Sequence, residues 1–160
     1  RWIDAFFQRF PAIKKFIDHQ HQFVQEHLFV RNPFGRKRRL YQAVHHENGM
    51  RAEALRQAVN APVQGGASDS INRIAIRVRK RFREEKLDAF IVGLVHDEII
   101  TECAEDIKDH VRDIVVEEFE RPIKELAVPL EADVEVVRHW YEGHASRILE
   151  ENSVEGSEDV

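Results

Sequence analysis

Apolar residues in the first part of the chain recur at three- and four-residue intervals, at Ile3, Phe6, Phe7, Phe10, Ile13, Phe16, Ile17 and Phe23. This is helical periodicity, and it predicts helix from Trp2 to about Phe29. Proline lacks the N–H of a helix bond and clashes with the preceding turn, so Pro11 predicts two helices or one kinked at Phe10. The aromatic residues at 6, 7, 10 and 16 read as helix core rather than a platform for stacking bases. Asn32-Pro33-Phe34-Gly35 predicts a turn, followed by the basic run Arg36-Lys37-Arg38-Arg39 and a polar loop around His45 to Asn48. A weak helix over Gly49 to Val59 meets Asn60-Ala61-Pro62, which breaks it or begins the next. Gly65-Gly66 then gives flexible backbone before Ser68 or Asp69, either of which suits a helix cap.

The pattern is clearest in the next helix, where Ile71, Ile74, Ala75, Val78 and Phe82 form one stripe opposite Arg73, Arg77, Lys80 and Arg81. Phe90 to Val95 and Ile99 to Cys103 are β-rich runs, predicting a hairpin with His96-Asp97-Glu98 at its tip. Helical spacing resumes from about Glu105 to Leu126, with Pro122 ending or bending the helix. Alternation of apolar and acidic residues over Leu130 to Val137 predicts a half-buried strand. These elements describe an α+β fold, with helices packed on a small antiparallel sheet made by the hairpin and the 130–137 strand. The expected domain is 1–149, and residues 150–160 form an acidic tail expected to be disordered.

Composition adds limits. A length of 160 residues suits one domain with a real core. No apolar run approaches the roughly 20 residues that span a bilayer, so no membrane is expected. The opening Arg1-Trp2-Ile3 has neither a secretory signal nor an initiator Met, which suits a chain cut from something longer. Cys103 is the only cysteine; it reads as small packing, excludes an intrachain disulfide and suits a reducing, cytoplasmic setting. The formal charge of -5 hides a division. Residues 1–86 hold 18 Lys and Arg against 8 Asp and Glu, a balance of +10, whereas the remainder holds 6 against 21, or -15. Phosphates answer to local charge, so the first half is a candidate DNA face.

Adjacent carboxylates at a hairpin tip repel each other, and a divalent cation relieves that repulsion. Oxygen ligands at a turn suit Mg²⁺, which takes one or two carboxylates together with substrate phosphates. The alternative is that Asp97 and Glu98 are turn residues facing water, and composition leaves both open. His19 and His21 are two apart on a helix and point in different directions, and His45-His46-Glu47 lacks further ligand spacing.

With its flanks, the tip says more. Val92-Gly93-Leu94-Val95-His96-Asp97-Glu98-Ile99-Ile100 closely resembles motif C of family A (polymerase I-like) DNA polymerases. Arg56-Gln57-Ala58-Val59-Asn60-Ala61-Pro62-Val63-Gln64-Gly65 resembles that family's segment with Arg, Asn and Gln four residues apart. Phe7-Gln8-Arg9-Phe10-Pro11 is similar to its aromatic-x-Arg-aromatic-Pro helix break, and Phe34-Gly35-Arg36-Lys37-Arg38 to its Gly-Arg-x-Arg turn. Val128-Pro129-Leu130 resembles the entry to its last palm strand, which ends in an aromatic at Trp140, so the similarity covers about residues 1–141.

The resemblance implies a partial palm with part of the fingers base, at the C-terminal end of a DNA-directed DNA polymerase. It implies that Asp97 is a Mg²⁺ ligand, Glu98 a nearby second carboxylate, and His96 a neighbour of the primer terminus. Arg56, Asn60 and Gln64 would contact primer-template DNA in the minor groove, where base acceptors occupy similar positions in every pair. Arg36 and Arg38 would track phosphates. By residue type and position alone, Arg56 also suits a surface helix position, Asn60 a cap, and the basic run a solvated turn. The family's Asp-Tyr-Ser-Gln-Ile-Glu motif and the fingers helix that binds deoxynucleoside triphosphates are absent from these 160 residues, so a remaining polymerase segment is an expected partner, in the same chain or another. Two other classes compete: a DNA-binding module without chemistry, and a metal-dependent hydrolase on His96 and Asp97, for which no further His and Asp set is found. Single-subunit RNA polymerases share a His-Asp pair, but Glu98 and Gln64-Gly65 fit the DNA enzymes better.

Overall fold

The structure is a computed structural model that describes Trp2–Trp140 and Glu142. Tail residues 150–160 lie outside the described residues. The chain divides into two compact units. One holds the residues up to Arg73 with Leu94–Ile99 and Ile123–Ala127; the other holds Ile74–Gly93, Ile100–Pro122 and the residues from Val128.

In the first unit, α1 (Trp2–Arg9) and α2 (Pro11–His27) meet at Phe10. Pro11 occupies the first turn of α2, where its missing N–H breaks no helix bond. Leu28 takes a left-handed conformation (φ 61°) at the end of α2 and donates its N–H to the Val24 carbonyl. The chain then enters β1 (Phe29–Arg31), which pairs antiparallel with β2 (Lys37–Arg39) in the register Phe29↔Arg39, Val30↔Arg38 and Arg31↔Lys37. A 3₁₀ turn, Tyr41–Val44, leads to α3. Val24, Val30, Leu40, Ala43, Ala54 and Ala58 form the core here, so α2, β1 and the start of α3 share one apolar centre.

The largest departure from the sequence reading is α3, a single helix from Asn48 to Glu84 that runs through Pro62, Gly65 and Gly66. At about 1.5 Å per residue it is roughly 55 Å long. A helical proline costs about 3 kcal/mol and each glycine about 1 kcal/mol relative to alanine, so local propensity alone would end the helix there. Packing overrides it on both sides: Ala54 and Ala58 are buried before the proline, Ile71, Ile74, Ala75, Val78 and Phe82 after it. Asp69 is therefore an interior helix residue and caps nothing.

In the second unit the buried stripe of α3 is as the spacing predicts, but the opposite cations are not all free in water. Arg77 is half-buried and donates to the backbone carbonyl of Glu118, 2.6 Å away, near the end of α4 (Lys108–Glu120). Glu118 itself is buried and ion-paired with Arg77, Arg81 and Arg121. Glu85 accepts from His110 and Arg81, which together hold its carboxyl below the ordinary carboxylate range. A 3₁₀ turn, Glu105–Ile107, precedes α4, which stops at Glu120 ahead of Pro122.

β3 (Ala89–Val95) and β4 (Glu98–Cys103) form the second two-stranded sheet, joined by His96-Asp97. The fold is thus helices with small antiparallel sheets. Residues 130–137 add no strand: Leu130, Ala132 and Val134 are half-buried while Glu131, Asp133 and Glu135 are exposed, but no ladder forms. Alternation reports which residues face the protein; a strand also needs a hydrogen-bonding edge beside it. The aromatic residues of α1 and the start of α2 are a second correction. Trp2, Phe6 and Phe10 are exposed, Trp2 at 90%, and α1 buries no residue, because an apolar face records what it is built to cover and not that these residues supply the cover.

Candidate functional site

The hairpin tip is short and strained. A two-residue hairpin loop calls for positive φ at its first position, which glycine adopts freely and other residues rarely do. Here His96 adopts it, at φ 52°. Glu98, assigned to the tip by pattern alone, is the first residue of β4. His96 and Asp97 are exposed and Glu98 is half-buried. Below the tip, Gly93 lies opposite Ile100; a Cβ on Gly93 would stand 3.3 Å from Ile100 Cδ1, tighter than ordinary packing allows. Along β3 the side chains of Phe90, Val92 and Leu94 alternate outward and are exposed.

Leu94–Ile99 belongs to the same compact unit as α3 up to Arg73. The tip and the segment carrying Arg56, Asn60 and Gln64 are thus parts of one body. Because α3 is continuous, these three residues at successive four-residue steps share one helix face, and all three are exposed. Arg56 forms a surface ion pair with Glu53, whose carboxyl is held below its ordinary 4.5 by Gln57 and by Arg56. An exposed pair of this kind contributes little to stability.

The basic turn is tied down. Arg36 pairs with Asp69, and Arg38 donates to Gln57 Oε1 at 3.0 Å, so both predicted phosphate contacts have partners on α3. Lys37 and Arg31 flank the Phe29 ring at 4.6 and 5.3 Å. Sequence pattern missed Asn32 and Asp69, two buried polar residues that join this turn to α3. The available signal was Asn at the head of a turn, with a glycine pair inside a helix.

Among the described residues, no group of three or more His, Cys, Asp and Glu is placed to hold a metal ion. The donors at the tip are a partial set. Asp97 and Glu98 fit a Mg²⁺ ion that draws its other oxygens from substrate and from elsewhere, and do not fit a closed all-protein cage. Cys103 is half-buried beside Asp106 and Glu102; burial, then those two carboxylates, push its thiol up, which disfavours the nucleophilic thiolate.

The model of DNA polymerase family A matches residues 1–142. This chain belongs to DNA polymerase family A. It is 34% identical over 141 residues to DNA polymerase I of Caldicellulosiruptor bescii, a match covering 88% of this chain and 16% of that protein. Against DNA polymerase I of Pseudomonas aeruginosa it is 36% identical over 149 residues, covering 89% of this chain and 16% of the relative. The DNA polymerase of Escherichia phage T5 is 31% identical over 122 residues, 75% of this chain and 14% of that one. Among solved structures, the POL domain of Pol1 from M. smegmatis, in complex with DNA primer-template and dNTP, superposes with a TM-score of 0.82 at 28% identity, over 86% of this chain and 24% of that chain. The chain therefore spans about a sixth of the length of the curated family A relatives it matches. No helix among the described residues is long and apolar enough to cross a membrane.

Proposed function

We propose that this chain supplies part of the palm, with part of the fingers base, of a DNA-directed DNA polymerase that adds deoxynucleotides to a primer 3′ end. The observation that supports this most directly is the pairing, within one compact unit, of a strained carboxylate tip at His96-Asp97-Glu98 with an exposed helix face at Arg56, Asn60 and Gln64. Asp97 is the principal Mg²⁺ ligand, Glu98 the second carboxylate, and His96 lies beside the primer terminus. Bound Mg²⁺ supplies charge neutralisation at the attacking 3′-oxygen and the leaving oxygen of the triphosphate. Around it, this chain's own residues hold the duplex. Arg56, Asn60 and Gln64 present donors to minor-groove acceptors that every correct pair offers alike, so they test pairing geometry without reading sequence. Arg36 and Arg38 add positive charge near the phosphates.

The motifs that bind the triphosphate and complete the metal site are absent from the sequence, so activity requires a further polymerase segment, in the same polypeptide or another. Primer extension with and without such a segment tests this. Extension is expected only when both are present, and Asp97→Ala is expected to lower it by at least about 10²–10³-fold, the scale of removing one group that stabilises transition-state charge. Extension by these 160 residues alone, or full activity of Asp97→Ala, would overturn the reading. The competing reading, a DNA-binding module without chemistry, predicts primer-template binding that Asp97→Ala leaves intact and no extension under any pairing of segments.

A further inference from the structure

The turn between β1 and β2 is bound to α3 by a small buried network. Asn32 is 8% exposed and Asp69 7% exposed. Asn32 uses both ends of its amide. Its Oδ1 accepts the backbone N–H groups of Phe34 at 3.1 Å and Arg36 at 2.9 Å, and its Nδ2 donates to the Gly65 carbonyl at 2.9 Å and to Asp69 Oδ2 at 2.6 Å. The other Asp69 oxygen takes the Arg36 guanidinium. A polar cluster satisfied in this way is rigid and geometrically specific.

Gly66 lets this turn approach closely: a Cβ at position 66 would lie 3.2 Å from Pro33 Cδ, tighter than most packing, whereas one at position 65 would meet Asn32 Nδ2 at 3.4 Å, an ordinary contact. Glycine is disfavoured inside a helix, and Pro62 lacks a backbone N–H, so the stretch from 62 to 66 is the part of α3 least secured by its own backbone. Gln64 sits inside that stretch and Asn60 just before it, both exposed. Asn32 adds tertiary bonds beside this stretch, at the Gly65 carbonyl and at Asp69.

We infer that the Asn32–Asp69–Arg36 network, seated against Gly65 and Gly66, is a positioning device for the exposed face of α3, fixing Gln64 so that a correctly paired primer terminus is favoured over a mispaired one. Asn32 and Asp69 touch no DNA; they act through Gln64. This rests on the DNA role proposed for that face.

The test is single-nucleotide extension from matched and mismatched primer termini by the complete polymerase containing this segment, or by the two-segment complex. The variants are Asn32→Ala, Asp69→Asn and Gln64→Ala, together with each of the first two combined with Gln64→Ala. Asp69→Asn keeps an oxygen for Asn32 but turns an amide NH2, a donor, toward the Arg36 guanidinium, so it cuts Arg36 from the network and decides the matter should Asn32→Ala fail to fold. The expected result is a fall of about three- to tenfold in the matched-to-mismatched ratio of kcat/KM for Asn32→Ala and Asp69→Asn, and no further fall when either is added to Gln64→Ala. A network that only stabilises the fold would lower the melting temperature and leave the ratio unchanged, or would multiply independently with Gln64→Ala; either result overturns the inference while leaving the DNA role of α3 standing. A Gln64→Ala variant with an unchanged ratio would overturn that DNA role itself, and the inference with it.

Discussion

His96 carries a conformation that glycine would adopt without cost, at the position where the chain turns between β3 and β4. The left-handed region costs a non-glycine residue about 1–2 kcal/mol. Strain of this size persists where the surrounding structure over-determines it, and it concentrates at functional sites. His96→Gly is therefore expected to raise stability in urea denaturation by about 0.5–1 kcal/mol, since glycine also loses more freedom on folding, while slowing primer extension by the assembled polymerase. A variant both less stable and fully active would contradict this account of the tip. At this scale the sequence was most legible where chemistry is local. His96-Asp97 stood out as the turn between β3 and β4, and Glu98 falls just past it at the start of β4. Asn32 and Asp69 did not, because their meaning depends on meeting each other across 37 positions.

Elements were legible where periodicity and tertiary packing agree. The break at Phe10, the buried stripe from Ile71 to Phe82 and the β3–β4 hairpin all follow from spacing. Other elements, β1 among them, did not. β2 is Lys37–Arg39, three exposed basic residues, too short to show a period of two and unlike a strand in composition. Residues 130–137 alternate in burial but have no ladder. Pro62 and the glycine pair read as a helix end, yet α3 continues because both flanks are buried. The same helix is tied to α4 through Glu118, a carboxylate whose side chain is 5% exposed among Arg77, Arg81 and Arg121, while Arg77 also holds the backbone carbonyl of Glu118 itself. Removing one partner of a buried ionic group leaves the others uncompensated, which costs about 3–5 kcal/mol. Glu118→Leu is expected to lose about 3 kcal/mol in urea denaturation, toward the low end because Arg81 and Arg121 reach solvent. Glu117→Ala, which removes only an exposed partner of Arg81, is expected to lose under about 1 kcal/mol.

For the whole molecule, the surfaces left uncovered are as informative as the core. Trp2, Ile3, Phe6 and Phe10 are exposed at the start of the chain, and Phe90, Val92 and Leu94 are exposed along β3, whose outer edge has no strand beside it among the described residues. Contiguous apolar faces and open strand edges are unusual on a free-standing protein and favour association. The match to about a sixth of each family A relative gives these surfaces a natural explanation, since a segment of a larger fold exposes whatever the rest would cover. The 160-residue chain by itself is therefore expected to dimerise or aggregate at micromolar concentration in small-angle scattering or sedimentation. Replacing Phe90 and Val92 with Thr and Lys keeps the strand compatible with β structure while removing the apolar face, and is expected to shift the chain toward monomer. A monodisperse unmodified monomer would count against this reading of the exposed faces. Association unaffected by the β3 substitutions would instead point to the α1 face, and Trp2→Ser with Phe6→Ser would then be the pair that relieves it.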